Sequence, residues 1–132
     1  MEVVVRLAGE DDLDEVLALW QELADLTASR DSRLCPREGG LELQRKYYSS
    51  LVERKDARLL VADAGGIVGF VAGSVVKSPP MYAGRRTGLI SELYVRDGAR
   101  GRGIGRRLVE TLVEWFRGVG VPEVRFHLES SL

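Results

Sequence analysis

Glycines stand at 101, 103 and 105, and four arginines, Arg100, Arg102, Arg106 and Arg107, lie among and beside them. Glycines where a chain turns into a helix keep side chains away from the backbone, so unpaired N–H groups can approach a ligand closely. A helix starting there adds roughly half a positive charge at the same spot. Residues of these types at this spacing suit a phosphate group. Spacing excludes two common phosphate loops. A P-loop would end in Gly-Lys-Ser or Gly-Lys-Thr, and neither follows here. A dinucleotide fingerprint G-x-G-x-x-G begun at Gly101 needs glycine at Arg106, and begun at Gly103 it needs glycine at Leu108. Two other readings of the run stay open on these residues alone: a structural turn with a solvated charged face, and an Arg-Gly patch touching RNA.

A loop of this kind needs a strand before it and a helix after it. Residues 87–95 read as the strand, Asp97-Gly98-Ala99 as a turn, and residues 104–119 as the helix, with Ile104, Leu108, Leu112, Trp115 or Phe116, and Val119 as its stripe. The helix ends near Gly118 and Gly120, with Pro122 beyond. Upstream, Val3-Val4-Val5-Arg6-Leu7 reads as a short strand. Asp11 or Asp12 caps a helix carrying Leu13, Val16, Leu17, Trp20, Leu23 and Ala24 on one face. Residues 30–40, broken by Pro36 and two glycines, form a loop. A second helix follows with Leu43, Tyr47, Leu51 and Val52 inward, and Trp20, Tyr47 and Tyr48 are expected in the core. Residues 58–63 and 67–76, joined by Ala64-Gly65-Gly66, form a hairpin. Residues 124–129 alternate as a last strand, with Val124, Phe126 and Leu128 on one face. The order β-α-α-β-β-β-α-β predicts a mixed sheet flanked by helices, in the mixed α/β or α+β class, as one domain spanning residues 1–132.

Set within this order, Arg100-x-x-Gly103-x-Gly105 resembles the acetyl-CoA signature R/Q-x-x-G-x-G/A of the GNAT superfamily of N-acetyltransferases. The strand Ile90-Ser91-Glu92-Leu93-Tyr94-Val95 before it and Arg106-Arg107-Leu108-Val109 after it match as well, and the resemblance covers nearly the whole chain. It implies an acyl-CoA N-acyltransferase fold and acetyl-CoA as cosubstrate. The amides of Gly101, Arg102, Gly103, Ile104, Gly105 and Arg106, together with Arg100, would hold the CoA pyrophosphate. Leu93, Tyr94 and Val95 would pair with the pantetheine arm. A primary amine, on a small molecule or a peptide, would be acetylated directly, with no covalent enzyme intermediate.

An alkyl ammonium has a pKa of about 10.4 and must lose a proton before it attacks. The resemblance puts Glu92 beside the acetyl group as the base; its other reading is a solvated or salt-bridged strand residue. Alternation places Glu92 on the face of Ile90 and Tyr94, opposite Leu93 and Val95, unless a bulge intervenes. His127, the only histidine, reads as a polar-face residue beside Arg125 and Glu129, with a substitute base as its functional reading; Met81 and Tyr82 lie in a loop that is either plain surface or a lining of the acceptor site. GNAT domains usually continue past this strand with a helix, often the source of the general acid, and further strands. This chain stops at Leu132, so those elements are expected to be missing, with an incomplete sequence, a truncated protein or a covering partner as the explanations. An uncovered edge and apolar face would favour a homodimer.

The bulk composition sets outer limits. A net charge of −1 over 132 residues, and few aromatics near the arginines, count against a nucleic-acid binder. There is no apolar run long enough to span a membrane and no signal peptide, so a cytoplasmic protein is expected. The single Cys35 excludes an internal disulfide and a cysteine zinc cage, and no metal is expected. The competing function is a non-catalytic GNAT-like module that binds acyl-CoA as a sensor or interaction domain.

Overall fold

The computed structural model describes residues 2–126. Among these residues five strands form one sheet in sequence order: β1 (Val4–Leu7), β2 (Ala57–Asp63), β3 (Ile67–Lys77), β4 (Arg86–Val95) and β5 (Val124–Phe126). The first four pair antiparallel with their neighbours, and β5 runs parallel to β4. Among the described residues three α-helices accompany the sheet: α1 (Leu13–Arg30), α2 (Gly40–Glu53) and α3 (Ile104–Gly118), the last joining the two parallel strands. The mixed α/β order and the mixed sheet follow the sequence reading. Residues 127–132, which include His127 and the end of the expected last strand, lie outside the described residues.

Both faces of β2 are covered, so it is apolar without a break from Leu59 to Ala62. Leu59 and Val61 join the core under α1 and α2, while Leu60 and Ala62 join the core under α3. The phase of α2 differs from its expected stripe. Leu43 is 47% exposed and Tyr47 39% exposed, whereas Tyr48 and Leu51 are buried. The helix is turned so that Gln44 and Tyr48 face the sheet, because a carboxylate on β4 gives their polar ends a partner. Tyr47 is therefore not a core residue; Trp20 is partly buried against the α1 side of the core.

The most consequential irregularity is in β4. Ala72 pairs with Glu92 but Gly73 pairs with Ile90, which leaves Ser91 as an extra residue. A bulge of this kind moves everything beyond it to the other face. Ile90 accordingly packs under α3, and so do Leu93 and Val95, while Tyr94 packs under α1. Glu92 shares a face with Tyr94 but not with Ile90, which corrects the simple alternation.

Helix α3 sits very close to β3 and β4 because Gly73 and Gly88 carry no side chain. A Cβ at Gly88 would lie 2.8 Å from three atoms of the Phe116 ring, and Phe116 is fully buried. We expect Gly88→Ala to destabilise the protein by about 1–3 kcal/mol, the usual cost of overpacking a core. A urea titration reads this directly; an unchanged midpoint would show that α3 shifts without cost.

Candidate active site

The sequence at 96–103 builds the loop by local geometry. After β4 a short 3-10 turn spans Asp97–Ala99, and Gly101 and Gly103 then take positive φ values of 79° and 74°. Residues with side chains adopt such values at a cost, so the glycines permit this path. Gly103 is the N-cap of α3, and the first bond of the helix runs from the Arg107 N–H to the Gly103 carbonyl at 3.0 Å. The N–H groups of Ile104, Gly105 and Arg106 precede that bond and have no partner within the helix. Among the described residues no side chain caps the helix. Gly105 tolerates more: a Cβ there would meet Val95 Cγ2 at an ordinary 3.7 Å, which agrees with a glycine-or-alanine position.

The four arginines are employed differently. Arg100 Nε donates to the Val95 carbonyl at 2.9 Å, its guanidinium lies 5.5 Å from the Tyr94 ring centroid, and it pairs with Asp97 at 3.6 Å. It braces the loop against the end of β4. Arg106 pairs with Glu110 at 2.7 Å, one helical turn on. Arg107 donates to the Val3 carbonyl at 2.9 Å and ties α3 to the start of the chain. Arg102 is exposed and makes no hydrogen bond or ion pair with another described residue. It is the arginine whose head needs no release before meeting an anion.

Leu93 and Val95 turn their side chains toward α3, and Tyr94 turns toward α1. The Tyr94 hydroxyl donates to Glu22 Oε1 at 3.0 Å, and Glu22 also holds Arg96 at 2.9 Å. Burial and the neighbouring Glu22 carboxylate push the Tyr94 phenol above its ordinary pKa, so it remains a donor. On one side these three residues pair with Val71, Phe70 and Gly69. Among the described residues, β5 pairs with β4 only from Gly88 to Ile90, so it does not reach them.

Glu92 stands at the bulge, half-buried, facing α2. Its Oε1 accepts from the Tyr48 hydroxyl at 2.7 Å and from Gln44 Nε2 at 3.3 Å. Tyr48 is fully buried against Phe70, ring centroids 5.8 Å apart. Burial, and then the charge of Glu92, raise the Tyr48 phenol well above its ordinary pKa. It therefore stays protonated and points a donor at the carboxylate. Sequence reasoning placed Tyr48 in the core but missed this role. The available signal was the i, i+4 pair Gln44–Tyr48, two polar-tipped residues stacked on one helix face. Met81 lies on the 3-10 turn Pro80–Tyr82 and is 78% exposed.

With Glu92 as the base that the resemblance implies, we expect Tyr48→Phe to slow turnover roughly tenfold, the scale of one hydrogen bond to a charged group. Loss of the donor disfavours the carboxylate form, so the acid limb of the pH–rate profile should move to higher pH. Calorimetry should find CoA affinity unchanged. An unmoved profile would separate Tyr48 from the chemistry.

The sequence model of the acetyltransferase (GNAT) family matches residues 18–131, and the chain belongs to that family. An uncharacterized N-acetyltransferase of Archaeoglobus fulgidus is 29% identical over 116 residues, covering 84% of this chain and 71% of that protein. Among solved structures, an acetyltransferase from Vibrio fischeri superposes with a TM-score of 0.77 at 22% identity, over 97% of this chain and 98% of that one. A predicted acetyltransferase from Clostridium acetobutylicum, solved with acetyl-CoA, superposes with a TM-score of 0.78 at 17% identity, over 98% and 82% of the two chains. These two likenesses establish a shared fold. No helix among the described residues is long and apolar enough to cross a membrane.

Proposed function

We propose that the protein transfers an acetyl group from acetyl-CoA to a primary amine by direct attack. One observation carries this reading: a single strand, β4, presents a held carboxylate at its bulge and runs on into the glycine loop with its open amides. The N–H groups of residues 101–106 hold the pyrophosphate, helped by the dipole of α3 and by Arg102. The outer edge of Leu93, Tyr94 and Val95 pairs with the pantetheine arm. Glu92, oriented by Tyr48 and Gln44, takes the ammonium proton directly or through a water. The amine nitrogen then forms the C–N bond as the C–S bond breaks, and the nitrogen gives up a further proton, matching the one the departing thiolate takes up to become free CoA thiol.

Family membership and the likeness to a structure solved with acetyl-CoA support the reading. A thiol-release assay with acetyl-CoA and a panel of primary amines tests it. Release that depends on an amine, with the acetylated amine seen by mass spectrometry, is the expected result. CoA binding without release from any amine would instead favour an acyl-CoA-binding sensor.

A further inference from the structure

Bulge, groove and charge lie on one face of the sheet. Before the bulge, Thr87 and Leu89 face the same side as Glu92, because Gly88 and Ile90 face α3. Val76 pairs with Thr87, and Arg125 pairs with Leu89, so both share that side. Val76, Thr87 and Leu89 line a groove of about 710 Å³ that is also lined by Lys77, Arg85 and Arg125. That volume suits a small molecule. Glu92 lies beyond the groove's lining, one same-face step from Leu89, roughly 7 Å along the strand. Arg125 is a further strand spacing, about 4.8 Å, to the side.

Among the described residues, little neutralises the groove's three cations. Arg85 has Glu123 at 3.4 Å, with both heads more than half exposed, a weak pair that a ligand can displace. Lys77 and Arg125 make no side-chain hydrogen bond or ion pair with another described residue. These cations lie toward the start of β4, the opposite end from the glycine loop, so they are separate from the amides proposed for the pyrophosphate. Along this face the charge thus changes from a carboxylate to a positive groove.

We propose that the acceptor is an aminocarboxylate, its amine at Glu92 and its carboxylate in the groove between Arg125 and Arg85. This rests on the acetyltransferase reading and narrows its substrate. A guanidinium fork matches a carboxylate in shape as well as charge. A diamine or polyamine would bring its second positive charge into the same groove and be repelled, so the arrangement selects against it as well as for its partner.

The test compares straight-chain ω-aminocarboxylates with alkylamines and diamines of equal length, on the CoA-loaded full chain for binding and with acetyl-CoA for thiol release. The expected result is a preference for the aminocarboxylate in kcat/KM of roughly ten- to hundredfold, the scale of a charged contact. The preference should collapse in the Arg85→Gln/Arg125→Gln double variant while CoA affinity is retained. Equal rates for the three series, a preference for diamines, or a preference surviving in the double variant would each overturn the proposal. If no amine releases thiol, the acetyltransferase reading fails, and calorimetry still decides the groove. Aminocarboxylate binding that is lost in the double variant supports it, and absence of binding overturns it.

Discussion

Gly103→Val is expected to lose more than about a hundredfold in CoA affinity while the protein stays folded, because several amide contacts worth about 1.5–3 kcal/mol each depend on one backbone conformation. Gly103 has φ of 74°, and a Cβ built there meets no atom of the described residues within 4 Å, its chain neighbours and the backbone of α3 aside. The fold therefore raises no steric objection to a side chain. The objection comes from the backbone, since a β-branched residue in the left-handed region costs about 1–2 kcal/mol or more. Relaxing that strain re-aims the amides at the start of α3, and the new side chain stands where a phosphate would approach. Calorimetric titration with CoA reads the first effect and a thermal melt the second. Gly105→Ala is the matched control and should bind CoA, given its 3.7 Å clearance from Val95. Unchanged affinity in Gly103→Val would remove the glycine loop from the site.

Glu92→Gln is expected to lower kcat by roughly 10²–10⁴, the usual contribution of a general base. CoA affinity should be nearly unchanged, because Glu92 lies at the bulge and the amides lie beyond the end of the strand. The loss should be greatest at low pH. An alkyl ammonium with a pKa of about 10.4 is almost wholly protonated at neutrality, so a base matters most there. As pH rises the free amine appears without help, and the variant should approach wild type. Glutamine keeps the size of the side chain and can still accept from Tyr48, so a folding defect is not expected. Wild-type rates across the whole pH range would place the base elsewhere, with His127 the next residue to test.

The glycine loop was legible in the sequence because its chemistry is local. Gly101 and Gly103 encode left-handed backbone, the helix that follows leaves its own amides open, and neither depends on a distant contact. The two helix-flanked faces of the sheet were legible for a similar reason, since period 2 and period 3.6 are written residue by residue. What Glu92 faces was not legible. Alternation gave it Tyr94 as a companion, which holds, and Ile90, which does not, because Ser91 is an inserted residue that only the pairing of Ala72 and Gly73 with β4 reveals. The phase of α2 was hidden as well. Leu43 and Tyr47 are the more apolar choice for an inward stripe, yet Gln44 and Tyr48 face the sheet because a carboxylate 44 residues from Tyr48 satisfies them. The groove of Lys77, Arg85 and Arg125 joins three segments that become neighbours only when β5 is laid beside β4. Local backbone preference set the path of the glycine loop into α3. Which charges meet across the sheet is a long-range matter, and only the assembled strands decide it.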